Sequence, residues 1–205
     1  NLAFYECYGI EGLRALDATV DYIRTKYPEI FLIADAKRGD IGNTAKMYAK
    51  AFFEEMDFDA VTIAPYMGAD SVTPFLEYKD KWAIVLALTS NASAYQFQNA
   101  QKDGKPLYQA VMEEMMEIST PDNMMFVVGA TKADKLQELR SFCPDNFFLV
   151  PGVGAQGGSA EEVIAHGAND HGGLLINSSR GILFADHTEN FAKVAAEVAA
   201  KTANL

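Results

Sequence analysis

The 205 residues are 49% apolar and 22% charged, the proportions of one ordinary globular domain with a real core, which excludes global disorder. A formal net charge of −11 works against nucleic acid or an anionic membrane as partner, so an anionic ligand has to be attracted locally. Apolar runs such as 82–88 fall far short of the ~20 residues of a membrane span, and no basic-then-apolar leader opens the sequence, so a soluble cytoplasmic protein is the simplest reading.

In chain order, Asn1 is followed at once by the strand-like Leu2-Ala3-Phe4-Tyr5, which reads as the end of a strand in a longer chain. Short β-forming apolar runs then alternate with segments of helical spacing. The runs predict strands at 30–35, 60–64, 82–88, 124–128, 147–150 and 173–177. The spacing predicts helices near 11–26, 43–57, 70–79, 106–118, 132–142, 159–167 and 188–202. In the second helix Tyr48, Phe52 and Met56 share one stripe, as a helix covering a sheet requires. Such alternation demands a parallel sheet covered by helices. The expected fold is an α/β single-domain (β/α)8 TIM barrel over 1–205, N-terminally incomplete, with its first strand and most of its second preceding Asn1. An open doubly wound sheet is the alternative; it gathers polar motifs at one switch point, whereas here they follow nearly every strand. Cys7 and Cys143 lie far apart with no metal-ligand spacing and read as reduced core residues. Trp82 and the methionines at 112, 115, 116, 124 and 125 also read as core, and His166, His171 and His187 form no metal pattern.

Three constellations could carry chemistry. The densest is Asp35-Ala36-Lys37-Arg38-Gly39-Asp40-Ile41-Gly42-Asn43-Thr44, where a strand ends and a helix begins. On an extended strand Asp35 and Lys37 share a face, within ion-pair reach. Such a pair sets a cationic acid beside a fixed anion, able to protonate a carbanion while repelling a substrate carboxylate. A surface salt bridge with a capped helix is the plainer alternative, and Asp40 with the glycine break argues against it. The second constellation is Pro151-Gly152-Val153-Gly154-Ala155-Gln156-Gly157-Gly158-Ser159, followed one strand later by Ser178-Ser179-Arg180-Gly181. The glycines match G-x-G-x-x-G, but the next strand ends in Asn177 where a dinucleotide fold needs a ribose-binding acid. Backbone N–H groups ahead of a helix and a guanidinium one strand on suit phosphate, at the place where barrels hold it. The third is the long polar segment 89–104, with Thr89-Ser90-Asn91 and Gln96 and Gln98, which suits a lid or a base-reading loop or is a surface excursion.

With these residues in view, the sequence resembles the orotidine 5′-phosphate decarboxylase family, in its bacterial branch with longer loops, over essentially its whole length. The family signature D-x-K-x-x-D-I-x-x-T is met by Asp35, Lys37, Asp40, Ile41 and Thr44, and the Phe-Tyr-Glu run at 4–6, the Pro-Gly-rich loop and Ser179-Arg180 agree. The resemblance implies cofactor-independent decarboxylation of orotidine 5′-phosphate to UMP in de novo pyrimidine biosynthesis. It casts Lys37 as proton donor to the ring carbanion and Asp35 as neighbour of the departing carboxylate. Asp40 and Thr44 would be lent across a two-fold homodimer interface into shared active sites. Ser90, with Asn91, would contact the pyrimidine, while Gln156 and Arg180, with Gly154, Gly157 and Ser179, would hold the phosphate. The family's charge network opens with a further lysine, whose place, with that of a ribose-binding aspartate, would precede Asn1. No metal or cofactor is expected. Loss of CO2 leaves a ring carbanion with no adjacent electron sink, so its stabilisation has to come from preorganised charge. Two rivals stand: a Mg2+-dependent sugar-phosphate decarboxylase or aldolase sharing the D-x-K-x-x-D core, and a non-catalytic nucleotide-binding barrel. Asn43-Thr44 and Gln156 speak against the first, and the three charges at 35, 37 and 40 against the second.

Overall fold

The structure, a computed structural model, describes residues 1–129, 133–153 and 159–203. Its elements in chain order are α1 (Ala3–Glu6), α2 (Gly9–Lys26), β1 (Ile33–Arg38), α3 (Gly42–Lys50) leading into a π-helical turn (Ala51–Glu55), and β2 (Ala60–Ile63). Two 3-10 turns (Pro65–Met67 and Ala69–Ser71) precede α4 (Thr73–Leu76) and β3 (Trp82–Leu88). A 3-10 turn (Ala92–Gln96) and the strands β4 (Gln101–Lys102) and β5 (Lys105–Pro106) lead to α5 (Leu107–Glu117) and β6 (Met124–Val128). The chain closes with α6 (Ala133–Phe142), β7 (Phe147–Pro151), α7 (Ala160–Gly167), β8 (Leu174–Asn177), α8 (Arg180–Leu183) and α9 (Phe191–Ala203). Among the described residues no helix is long and apolar enough to cross a membrane.

Two compact units emerge, Asn1–Leu86 with Gln109–Met125 and Ala87–Tyr108 with Phe126–Leu205. In the first, β1 pairs parallel with β2 and β2 with β3. All four residues of β2 are buried, which is why it reads as a continuous apolar run rather than an alternating one. The expected strand at the start of the chain is instead the helical turn α1. Tyr5 and Glu6 donate their N–H groups to the Leu2 carbonyl, and Leu2 is buried while Phe4 is 61% exposed, so the two do not share a strand face. The turn is held close to α2: a Cβ on Gly12 would lie 1.8 Å from the Tyr5 carbonyl oxygen, so only glycine fits there. Cys7, at the end of α1, is exposed and not the core residue expected; Cys143 is buried. β1 starts three residues later than the apolar run suggests, because Ile30 closes a turn onto Tyr27 and its own carbonyl is taken by Arg24. The π-helical turn extends α3, and the adjacent Phe52 and Phe53 are both buried in it. The helix expected at 70–79 shrinks to α4 and its preceding turns.

In the second unit β7 pairs parallel with β8 in an unbroken register from Phe148↔Leu174 to Pro151↔Asn177. β4 and β5 form a small antiparallel hairpin whose turn residues, Asp103 and Gly104, both take positive φ, as a tight hairpin turn requires. Arg140 of α6 organises the unit's loops: its guanidinium lies 4.0 Å from the Phe148 ring centroid and donates to the carbonyls of Cys143, Pro144, Asn146, Gly167 and Gly173. Ser159 caps α7 by accepting from the Glu162 N–H. Trp82 and Met116, both expected as core, are half-buried, while Met112, Met115, Met124 and Met125 are buried as expected.

Candidate active site

In the first unit, β1 carries the charged cluster from Asp35 onward. The Lys37 ammonium donates to Asp35 Oδ1 at 2.5 Å, with Asp35 the more buried of the two. The route to this pair is not the extended strand that the two-residue spacing suggests. The β1–β2 register passes from Ala34↔Val61 to Arg38↔Ile63, four residues on one strand against two on the other, and Lys37 sits in this bulge at φ 48°. A non-glycine residue in the left-handed region costs about 1 kcal/mol or more, and such strain gathers at functional positions. Two further groups hold Asp35: Thr62 of β2 donates its hydroxyl proton to Oδ1 at 3.1 Å, and the Asn1 amide donates to Oδ2 at 3.2 Å. Arg38, the next residue, turns back to pair with Glu6 of α1 and lies over the rings of Tyr48 and Phe52.

Asp40 does not join this pair. Its Oδ1 accepts from the Ile41 N–H at 2.8 Å, and no hydrogen bond or ion pair links it to Lys37 among the described residues. Thr44 is exposed on the first turn of α3. Gly39 lies between Asp35–Lys37 and Asp40, and a Cβ there would lie 3.0 Å from the Ala64 carbonyl.

In the second unit, the segment after β3 is bound to itself. Gln98 accepts from the Thr89 N–H and donates to the Thr89 hydroxyl, both at 2.8 Å, and that hydroxyl donates to Asn91 Oδ1 at 2.6 Å. The Asn91 acceptor is therefore engaged within its loop. Ser90, half-buried, lies against the backbone following β6: a Cβ on Gly129 would lie 2.8 Å from Ser90 Cβ, so glycine permits the approach. Ser179 and Arg180 are exposed where β8 gives way to α8, and the Ser179 hydroxyl donates to Asn177 Oδ1 at 3.1 Å. Gly154, Gln156 and Gly157 lie outside the described residues. An apolar cavity of about 520 Å³ bordered by Ile164, Leu174, Ile176 and Ile182 has no charged residue among its described lining residues, which does not suit a phosphate.

The sequence pattern of the orotidine 5′-phosphate decarboxylase / HUMPS family matches residues 1–195. The chain belongs to that family. A relative from Phocaeicola vulgatus named orotidine 5′-phosphate decarboxylase is 55% identical over 202 residues, 98% of this chain and 74% of the relative. Its counterpart from Christiangramia forsetii is 55% identical over 195 residues, 95% of this chain and 72% of the relative. The solved structure of Leishmania donovani OMP decarboxylase superposes with a TM-score of 0.84 at 36% identity, covering 97% of this chain and 76% of that one. The family's (β/α)8-barrel fold, expected from the alternation of strands and helices, is the fold class of this chain, and the doubly wound alternative falls.

Sequence reading missed Thr62, Asn1 and the Glu6–Arg38 pair. Thr62 had a signal, since a hydroxyl inside the buried run Ala60–Ile63 needs a partner there. The other two depend on α1, which the sequence disguised as a strand.

Proposed function

We propose that the chain decarboxylates orotidine 5′-phosphate to UMP without a cofactor, as one barrel domain of a cytoplasmic homodimer. The observation that carries this reading is the Lys37 ammonium seated on the Asp35 carboxylate. In this reading Asp35 faces the substrate carboxylate, the C6–CO2 bond breaks with its electron pair left on the ring carbon, and Lys37 delivers its proton to that carbon. A preformed ion pair needs no reorganisation as charge develops, which is where an active site lowers a barrier most. Binding energy from the remote phosphate, held by Gln156 and Arg180 with Gly154, Gly157 and Ser179, offsets the repulsion between the carboxylates. Ser90 reads the pyrimidine with Asn91, and Asp40 and Thr44 serve the partner subunit's site across the two-fold axis.

The family also contains sugar-phosphate enzymes, and names carried by relatives at 55% identity favour the pyrimidine substrate. The test is an assay of protein treated with EDTA. The near-ultraviolet absorbance of orotidine 5′-phosphate should fall at an undiminished rate as UMP accumulates. Activity that vanishes with EDTA and returns with Mg2+ would instead favour the metal-dependent chemistry.

A further inference from the structure

We infer that Thr62 is the positioning residue of the site, one hydroxyl that fixes both the backbone of the proton donor and the carboxylate beside it. The inference rests on Lys37 and Asp35 having the roles proposed above.

Between the pairs Ala34↔Val61 and Arg38↔Ile63, Thr62 alone stands across from Asp35, Ala36 and Lys37. The bulge removes regular ladder partners from those residues, and a backbone N–H turned onto a fully buried side chain needs its acceptor there. Thr62 supplies the acceptor: its Oγ1 takes the Lys37 N–H at 2.9 Å. An amide N–H can only donate, so the hydroxyl keeps its own proton free, and that proton goes to Asp35 Oδ1 at 3.1 Å. The same carboxylate oxygen receives the Lys37 ammonium. A closed circuit results, from Lys37 backbone to Thr62 hydroxyl to Asp35 carboxylate to Lys37 ammonium. The Thr62 side chain is fully buried, so water cannot take over its task. An apolar residue in its place would leave the Lys37 N–H without its acceptor and take one of the hydrogen bonds from Asp35, removing the contact that favours φ 48° over a relaxed backbone.

Two pairs of variants separate positioning from packing. Thr62→Val keeps the branched shape and loses the hydroxyl, whereas Thr62→Ser keeps the hydroxyl and loses a methyl group. Thr62→Val should lower kcat for orotidine 5′-phosphate roughly 10- to 100-fold, the scale of a lost hydrogen bond to a charged group, with KM changed less than about threefold. Thr62→Ser should restore kcat to within about fivefold of the parent, since a methyl deletion chiefly costs packing. The reverse ranking, with Val active and Ser impaired, would overturn the inference. If Thr62→Val does not fold, Thr62→Ser against Thr62→Ala makes the same comparison, because those two differ by the oxygen alone; equal kcat would overturn it. Crystal structures of the folded variants give a readout independent of turnover. Loss of the hydroxyl should part Lys37 from Asp35 or return Lys37 to negative φ, and an unchanged pair would overturn the inference even if the substrate were another compound. Failure of the parent protein to consume orotidine 5′-phosphate would refute the assigned reaction while the structural comparison still decides the role of Thr62.

Discussion

The Lys37 ammonium rests on the Asp35 carboxylate from a backbone held at φ 48°. The D-x-K pattern correctly pairs an acid with a base, yet the pair forms through a bulge and a positive φ rather than through strand alternation. Nothing in the residues from Asp35 to Lys37 announces the bulge, because its stabilising partner, Thr62, lies on another strand. Asn91 is a second instance: its Oδ1 accepts from the Thr89 hydroxyl, a partner two residues away that the spacing alone does not announce. Arg180 is more plainly legible, an exposed guanidinium where β8 ends and α8 begins. If it grips the phosphate, Arg180→Ala should raise KM and lower kcat/KM by roughly 10- to 100-fold, as loss of one charge-assisted contact does. Steady-state kinetics checks this, and unchanged constants would place the phosphate elsewhere.

At the scale of elements, strands were legible wherever burial on both faces made them continuous apolar runs, as in β2, β3 and β6. β1 is displaced because Ile30 closes a turn and both it and the apolar Phe31 are exposed, so hydrophobicity alone misplaces the boundary. The opening turn α1 escaped for a related reason: four residues are too few for a helical period to show, and its packing depends on a close approach at Gly12. The loops of the second unit depend on Arg140, whose burial pushes against its charge while five carbonyls accept from it. Arg140→Met keeps much of the apolar stem and strands those carbonyls, so unfolding in urea should show a loss of about 3 kcal/mol. A change below about 0.5 kcal/mol, the range of an ordinary surface substitution, would mean that water serves those carbonyls equally well.

For the whole molecule, a net charge of −11 requires attraction of a phosphorylated substrate to be local, which places the burden on a few cationic and backbone groups. Asp40 is bound to its own backbone neighbour and not to Lys37, which motivates the shared-site dimer. Lys37→Ala and Asp40→Ala homodimers should each be severely impaired, and mixing them with exchange of subunits should restore activity to roughly a quarter of the parent, since about half the dimers carry one intact site. No recovery, with exchange verified separately, would confine Asp40 to its own subunit. The central claim is that Lys37 protonates a ring carbanion left by departing CO2. The most direct measurement is conversion of orotidine 5′-phosphate in D2O by the parent protein and by Lys37→Ala, followed by proton NMR. The parent should yield UMP bearing deuterium at C6 while Lys37→Ala leaves the substrate intact; unconverted substrate with the parent, or deuterated UMP formed equally fast by Lys37→Ala, would contradict the account.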